Sequence, residues 1–180
     1  MSSSNSSVTL DTQQTVTEKV SCVNIKNDDD NSSRLESFKT LNDLNVLLDA
    51  AQFTTLEFQS FEINKQKIHG ADYQYSLPLQ QQLDFLKITD NVKFPGACLD
   101  YSLKKFKTIK RAEIVLPSSA TPLNFNTLLN LTFELLGKIS NFELKFMVRK
   151  EYSVLVSSLK NLNENISIEK CGEIYTISRL

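Results

Sequence analysis

The densest chemistry in the chain is a run of cations, Lys104-Lys105-Phe106-Lys107-Thr108-Ile109-Lys110-Arg111. Positive side chains this close together form the kind of patch that contacts phosphates, the sequence-independent source of affinity for nucleic acid. Lys104, Lys105, Lys107, Lys110 and Arg111 are therefore the candidate contacts to RNA, DNA or phosphate. The competing reading is a solvated helix face whose aliphatic stems cover the edge of the core. The whole chain favours that second reading, because 20 Lys+Arg against 21 Asp+Glu leave a net charge of −1 and no global pull toward polyanions.

Catalytic equipment is sparse. His69 is the single histidine of 180 residues. With Asp72 it makes half of a general-base arrangement, and no nucleophile or oxyanion hole accompanies it. Cys22, Cys98 and Cys171 are too widely spaced for a zinc knuckle and odd in number for a disulfide framework. No phosphate loop, nucleophile elbow, dinucleotide fingerprint or metalloprotease helix is present. Glu134 sits between Phe133 and Leu135 in a very apolar stretch and would titrate high if buried. The expectation is a chain without catalytic residues, cofactor or metal.

The elements that would position these residues follow from periodicity. Residues 1–33 are polar and end in Asn27-Asp28-Asp29-Asp30-Asn31-Ser32-Ser33, a composition that reads as a disordered tail. Val16 to Ile25 has weak strand character and is the part of the tail suited to docking as an edge strand. Ser33-Arg34-Leu35-Glu36 matches a capping box, and Phe38, Leu41, Leu44, Leu48 and Ala51 follow at helical spacing. Leu56, Phe58, Phe61 and Ile63 change phase midway, which predicts a strand bulged at Gln59-Ser60. His69 to Asp72 reads as a turn, and Pro78 to Ile88 fits either helix or strand.

The second half is clearer. Leu99, Leu103 and Phe106 line a helix that would carry the cations on its other side, and Ala112 to Leu116 is a buried strand closed by Pro117. Phe125, Leu128, Leu129, Thr132, Leu135, Leu136 and Ile139 mark one stripe of a further helix. Leu131 and Phe133 lie off that stripe, so the helix is apolar on more than one side. Phe142, Leu144, Phe146 and Val148 alternate strictly with polar or longer side chains, as a strand with one wet face does. Tyr152 to Leu162 reads as a helix. Two strands then flank Cys171-Gly172 as a hairpin.

These readings commit to an α+β or α/β fold: a single domain over 34–180, with a mixed sheet covered by helices and a C-terminal α-β-α-β-β run. A tandem winged helix is the alternative, weakened by the alternating strand at 142–148. The expected function is a non-catalytic subunit or adaptor of an intracellular assembly, nuclear or cytoplasmic. Its partner would be another protein or a second copy, held by Phe125, Leu128, Leu131, Phe133 and Leu135. No run reaches the roughly 18 apolar residues of a membrane span, and a membrane is not among the expected partners.

Overall fold

The computed structural model describes residues 20–63, 82–116, 125–147, 156–161 and 164–180. Their organising feature is one mixed sheet in the order β2-β1-β3-β4-β5-β6-β8-β7. The fold is α+β, with 46% strand and 29% helix. The strands are β1 (Ser21–Asn27), β2 (Ser32–Phe38), β3 (Thr55–Ser60), β4 (Gln82–Ile88), β5 (Thr108–Val115), β6 (Ile139–Met147), β7 (Ile166–Cys171) and β8 (Ile174–Arg179). The helices are α1 (Leu41–Asp49), α2 (Pro95–Lys105) and α3 (Phe125–Lys138), with a short helical segment at 156–161.

β3 to β6 are parallel and adjacent in chain order. Parallel crossovers share one hand. Strands that always step in the same direction therefore set the described crossover helices on one face. Burial agrees: Leu44 and Leu48 of α1, Ala97 to Leu103 of α2 and Leu135 of α3 join the sheet's inward side chains in one core. An antiparallel hairpin closes each end of the parallel array, β1-β2 on one side and β8-β7 on the other.

One inward pattern recurs on all four parallel strands. Phe53, Leu56 and Phe58 are buried, and so are Leu83, Leu86 and Ile88; Ile109, Ala112 and Ile114; and Ile139, Phe142 and Leu144. Each set occupies positions i, i+3 and i+5. The pairing aligns Leu56, Leu86, Ala112 and Phe142 across the sheet, about 30 residues apart along the chain. A repeated strand-and-return unit of this kind cannot bury its apolar side alone and does so by stacking on its neighbours.

Several sequence expectations change here. The fold begins at β1, not at Arg34, so residues 20–33 are not tail; residues 1–19 lie outside the described set. Val23 and Ile25 point into the core, and the acidic run is the turn joining β1 to β2. Its side chains fold back on the backbone, with Asp30 Oδ1 accepting from Ser32 N at 2.8 Å and Asn27 Oδ1 from Asp29 N at 3.2 Å. Asn31 takes φ 54°, a left-handed value that asparagine tolerates. Asp and Asn thus serve as turn formers where composition alone suggested disorder.

Ser33 and Glu36 lie in β2 rather than at a helix start. The true capping box is Thr40 with Asp43: Asp43 N donates to Thr40 Oγ1 at 3.1 Å, and Thr40 N donates to Asp43 Oδ2 at 2.9 Å. The Thr40 backbone N–H, then the Thr40 hydroxyl and the Lys39 N–H, donate to the Asp43 carboxylate and hold it below its ordinary pKa. The bulge lies where it was expected, with Cys22 opposite Ser60, Val23 opposite Phe58, and Gln59 skipped between them. Pro78 to Ile88 resolves into β4 within its described part. The terminal hairpin turns at Gly172-Glu173, one residue later than expected, with Gly172 at φ 58°. That positive φ at the first central position is what a tight hairpin requires of glycine. The winged-helix alternative does not fit a sheet of eight strands.

Candidate functional site

The cations are not on one helix. α2 ends at Lys105, Phe106 is already extended, and β5 starts at Thr108. Thr108, Ile109, Ile114 and Val115 are β-branched and favour a strand there, which outweighs the helical spacing of Leu103 and Phe106. The cluster is thereby split. Lys105 is 3% exposed and pairs with Asp49 at 3.3 Å, a clasp between α2 and α1 that removes it from any ligand. Lys104 pairs with Asp100 at 2.9 Å and Lys110 with Asp84 at 2.7 Å. Lys107 is exposed at the turn into β5. Arg111 lies elsewhere again, with its guanidinium 4.2 Å from the ring centre of Phe85.

The apolar helix also divides. Leu135 is fully buried and Leu131 partly so, and both pack on the core; neither is free for a partner. Phe133 is 50% exposed, and Glu134 is exposed as well. The side chains of Phe125 and Leu128 lie outside the described ones, as does the whole of His69. Cys98 is buried in α2, and burial pushes its thiol pKa well up. It is a packing residue and a poor nucleophile.

What the sheet brings together instead is its uncovered face, the one that none of the described helices covers. The pairing sets Asn24, Glu57, Lys87, Glu113, Glu143 and Ser178 in one row across six strands. The next row runs Lys26, Thr55, Phe85, Arg111 and Asn141. Charges on these rows neutralise one another. Glu57 meets Lys26 at 3.2 Å and Lys87 at 3.5 Å, and Lys145 meets Glu143 at 3.1 Å and Glu113 at 3.9 Å. Burial raises the Glu57 pKa, but the hydrogen bond and charge of Lys26, with help from Lys87, outweigh it and leave the carboxyl below its ordinary value.

A hollow of about 250 Å³ opens on this face, lined by Phe85, Arg111, Glu113, Asn141, Glu143 and Ser178. The Arg111 guanidinium lies over the Phe85 ring, and a guanidinium so held can still give its N–H fork to a carboxylate. The lining offers an amide, a hydroxyl, carboxylates and a guanidinium, and neither imidazole nor thiol. No group of three or more His, Cys, Asp or Glu that could hold a metal ion occurs among the described residues.

Sequence reasoning named Arg111 but placed it on a helix, and it did not single out Phe85, Asn141 or Ser178. For Phe85 and Asn141 the signal is the recurring i, i+3, i+5 spacing, since the residues between the apolar positions must line the other face; Ser178 lies on β8, outside the repeat. Comparisons with protein-family models, with curated proteins and with solved structures return no match to this chain.

Proposed function

We propose that the chain is a protein-recognition module of a larger assembly, and that it takes its partner on the uncovered face of the sheet. The observation that carries this reading is the hollow beside the Arg111–Phe85 stack, set in two rows of side chains that cross the parallel strands. A carboxylate-bearing side chain of the partner is the fitting occupant at Arg111, within a contact of mixed charge. Arginine and aromatic anchors of this kind carry a large share of binding energy at protein interfaces.

The apolar spacing on β3 to β6 supports the same reading, because it resembles the strand segment of leucine-rich repeats. Stacked repeats of that sort present an extended strand surface to their partners. The resemblance has limits. The position three residues after each triplet, asparagine or cysteine in such repeats, is held here by Phe61, Asn91, Pro117 and Met147. Phosphate binding by the cationic run is the weaker reading, since Lys105 is buried and Lys104 and Lys110 already have carboxylate partners.

The test is quantitative co-purification from the native source with nuclease present. Proteins recovered with the wild-type chain should be lost with Arg111→Glu and reduced with Phe85→Ala, while Phe133→Ala retains them. An unchanged set with Arg111→Glu overturns the proposal, and loss on nuclease treatment alone favours nucleic acid.

A further inference from the structure

We infer that the chain pairs with a second copy of itself through β2, edge to edge and antiparallel, about a two-fold axis at Leu35. Among the described residues β2 is an outer strand of the sheet, and its register against β1 is unbroken from Ser32 to Phe38. Exposed strand edges are ordinarily guarded by proline, by charged side chains or by a bulge. The seven residues Ser32-Ser-Arg-Leu-Glu-Ser-Phe38 contain no proline, and that unbroken register leaves no bulge. Their two charges, Arg34 and Glu36, repel a strand of other sequence but are of opposite sign, so a second copy turned antiparallel meets each with its complement.

The sequence of β2 is complementary to itself. A two-fold axis at Leu35 sets Leu35 opposite Leu35 of the second copy, Arg34 opposite Glu36 and Glu36 opposite Arg34. Ser33 then faces Ser37. Leu35 is 65% exposed, on the uncovered side of the sheet opposite Asn24. Arg34 and Glu36 project on the other side, where they already form an intrastrand pair at 3.5 Å. Bringing in the second copy would close a ring of four alternating charges under one apolar contact. Directly opposed unlike charges and apolar pairs are the units that stabilise antiparallel strands, and isologous contact of one patch with itself is the commonest symmetry of soluble dimers. The pairing extends the sheet sideways and leaves the hollow at Arg111 open, so it is independent of the function proposed above.

The test is sedimentation equilibrium of the full chain over a concentration series. The wild type should show a reversible monomer–dimer equilibrium. Arg34→Glu places like charges opposite each other at two symmetry-related points and should weaken the dimer about tenfold or more. The double change Arg34→Glu with Glu36→Arg restores opposite charges in the same register and should recover most of that loss. Leu35→Lys should leave monomer, with a circular dichroism spectrum like that of the wild type. A wild type that stays monomeric throughout overturns the inference. So does a dimer indifferent to Arg34→Glu and Leu35→Lys, or a double variant no tighter than Arg34→Glu alone.

Discussion

The two faces of the same strands obey different rules. On the covered face, every parallel strand repeats one apolar spacing, and every side chain at those positions is buried. On the uncovered face, the neighbouring positions hold Glu57, Lys87, Arg111, Glu113 and Asn141, which share no single chemistry and are linked by ion pairs and a ring stack. Burial of apolar area fixes the first set, at roughly 25 cal/mol per Å². Ion pairs near the surface contribute little to stability, about 0–1 kcal/mol each when exposed, so folding constrains the second set less than the first.

That contrast breaks most visibly at Phe142 and its neighbour. Phe142→Ala should cost about 3–5 kcal/mol in denaturant unfolding, through lost transfer energy and a cavity, whereas Asn141→Ala should stay within about 0.5 kcal/mol. Equal effects at the two positions would refute the division into a structural and a recognition face. Tyr101→Phe probes the helical layer, where Tyr101 Oη donates to Asn45 Oδ1 at 2.7 Å in the interior. Leaving that acceptor unpaired should cost about 1–3 kcal/mol. Thr40→Ala should cost about 1 kcal/mol and Ser33→Ala almost nothing, because only Thr40 caps a helix.

The smallest effect belongs to the uncovered face. Glu57 has a folded pKa below its ordinary value of 4.5, so the ionised carboxylate favours the folded state. Its contribution is present above that ordinary value and is lost as pH falls through the lower folded value. Glu57→Gln should therefore flatten a small part of the acid limb of a stability–pH profile and leave the slope of that profile near neutral pH unchanged. An unchanged acid limb would show that the Lys26 and Lys87 pairs do not act on this carboxylate.

The same division explains what could be read from the sequence. The strand at Phe142 to Phe146, the bulge at Gln59 and the alternation of helix and strand after Ala97 were legible, since each follows from apolar periodicity or a phase change. The start of the fold was not, because Asp28 to Asn31 have the composition of a disordered segment and the chemistry of a turn. The helix start was displaced for a related reason: Ser33-Arg-Leu-Glu36 and Thr40-Leu-Asn-Asp43 are both plausible caps, and only the pairing of β2 with β1 decides between them. The cations were misplaced because Leu99, Leu103 and Phe106 continue a helical stripe past the point where the chain straightens. The candidate site residues were the hardest to see. Phe85, Arg111 and Asn141 are separated in sequence and come together only once the recurring apolar spacing is used to align the strands, and Ser178 lies outside that repeat.

The most direct test of the recognition face is a photo-crosslinking side chain placed singly at Asn141, on the uncovered face, or at Phe133, exposed on α3, with irradiation in the native source. The account predicts a covalent adduct to a protein from position 141 and none from 133. An adduct from 133 alone, or adducts to nucleic acid from 141, would contradict it.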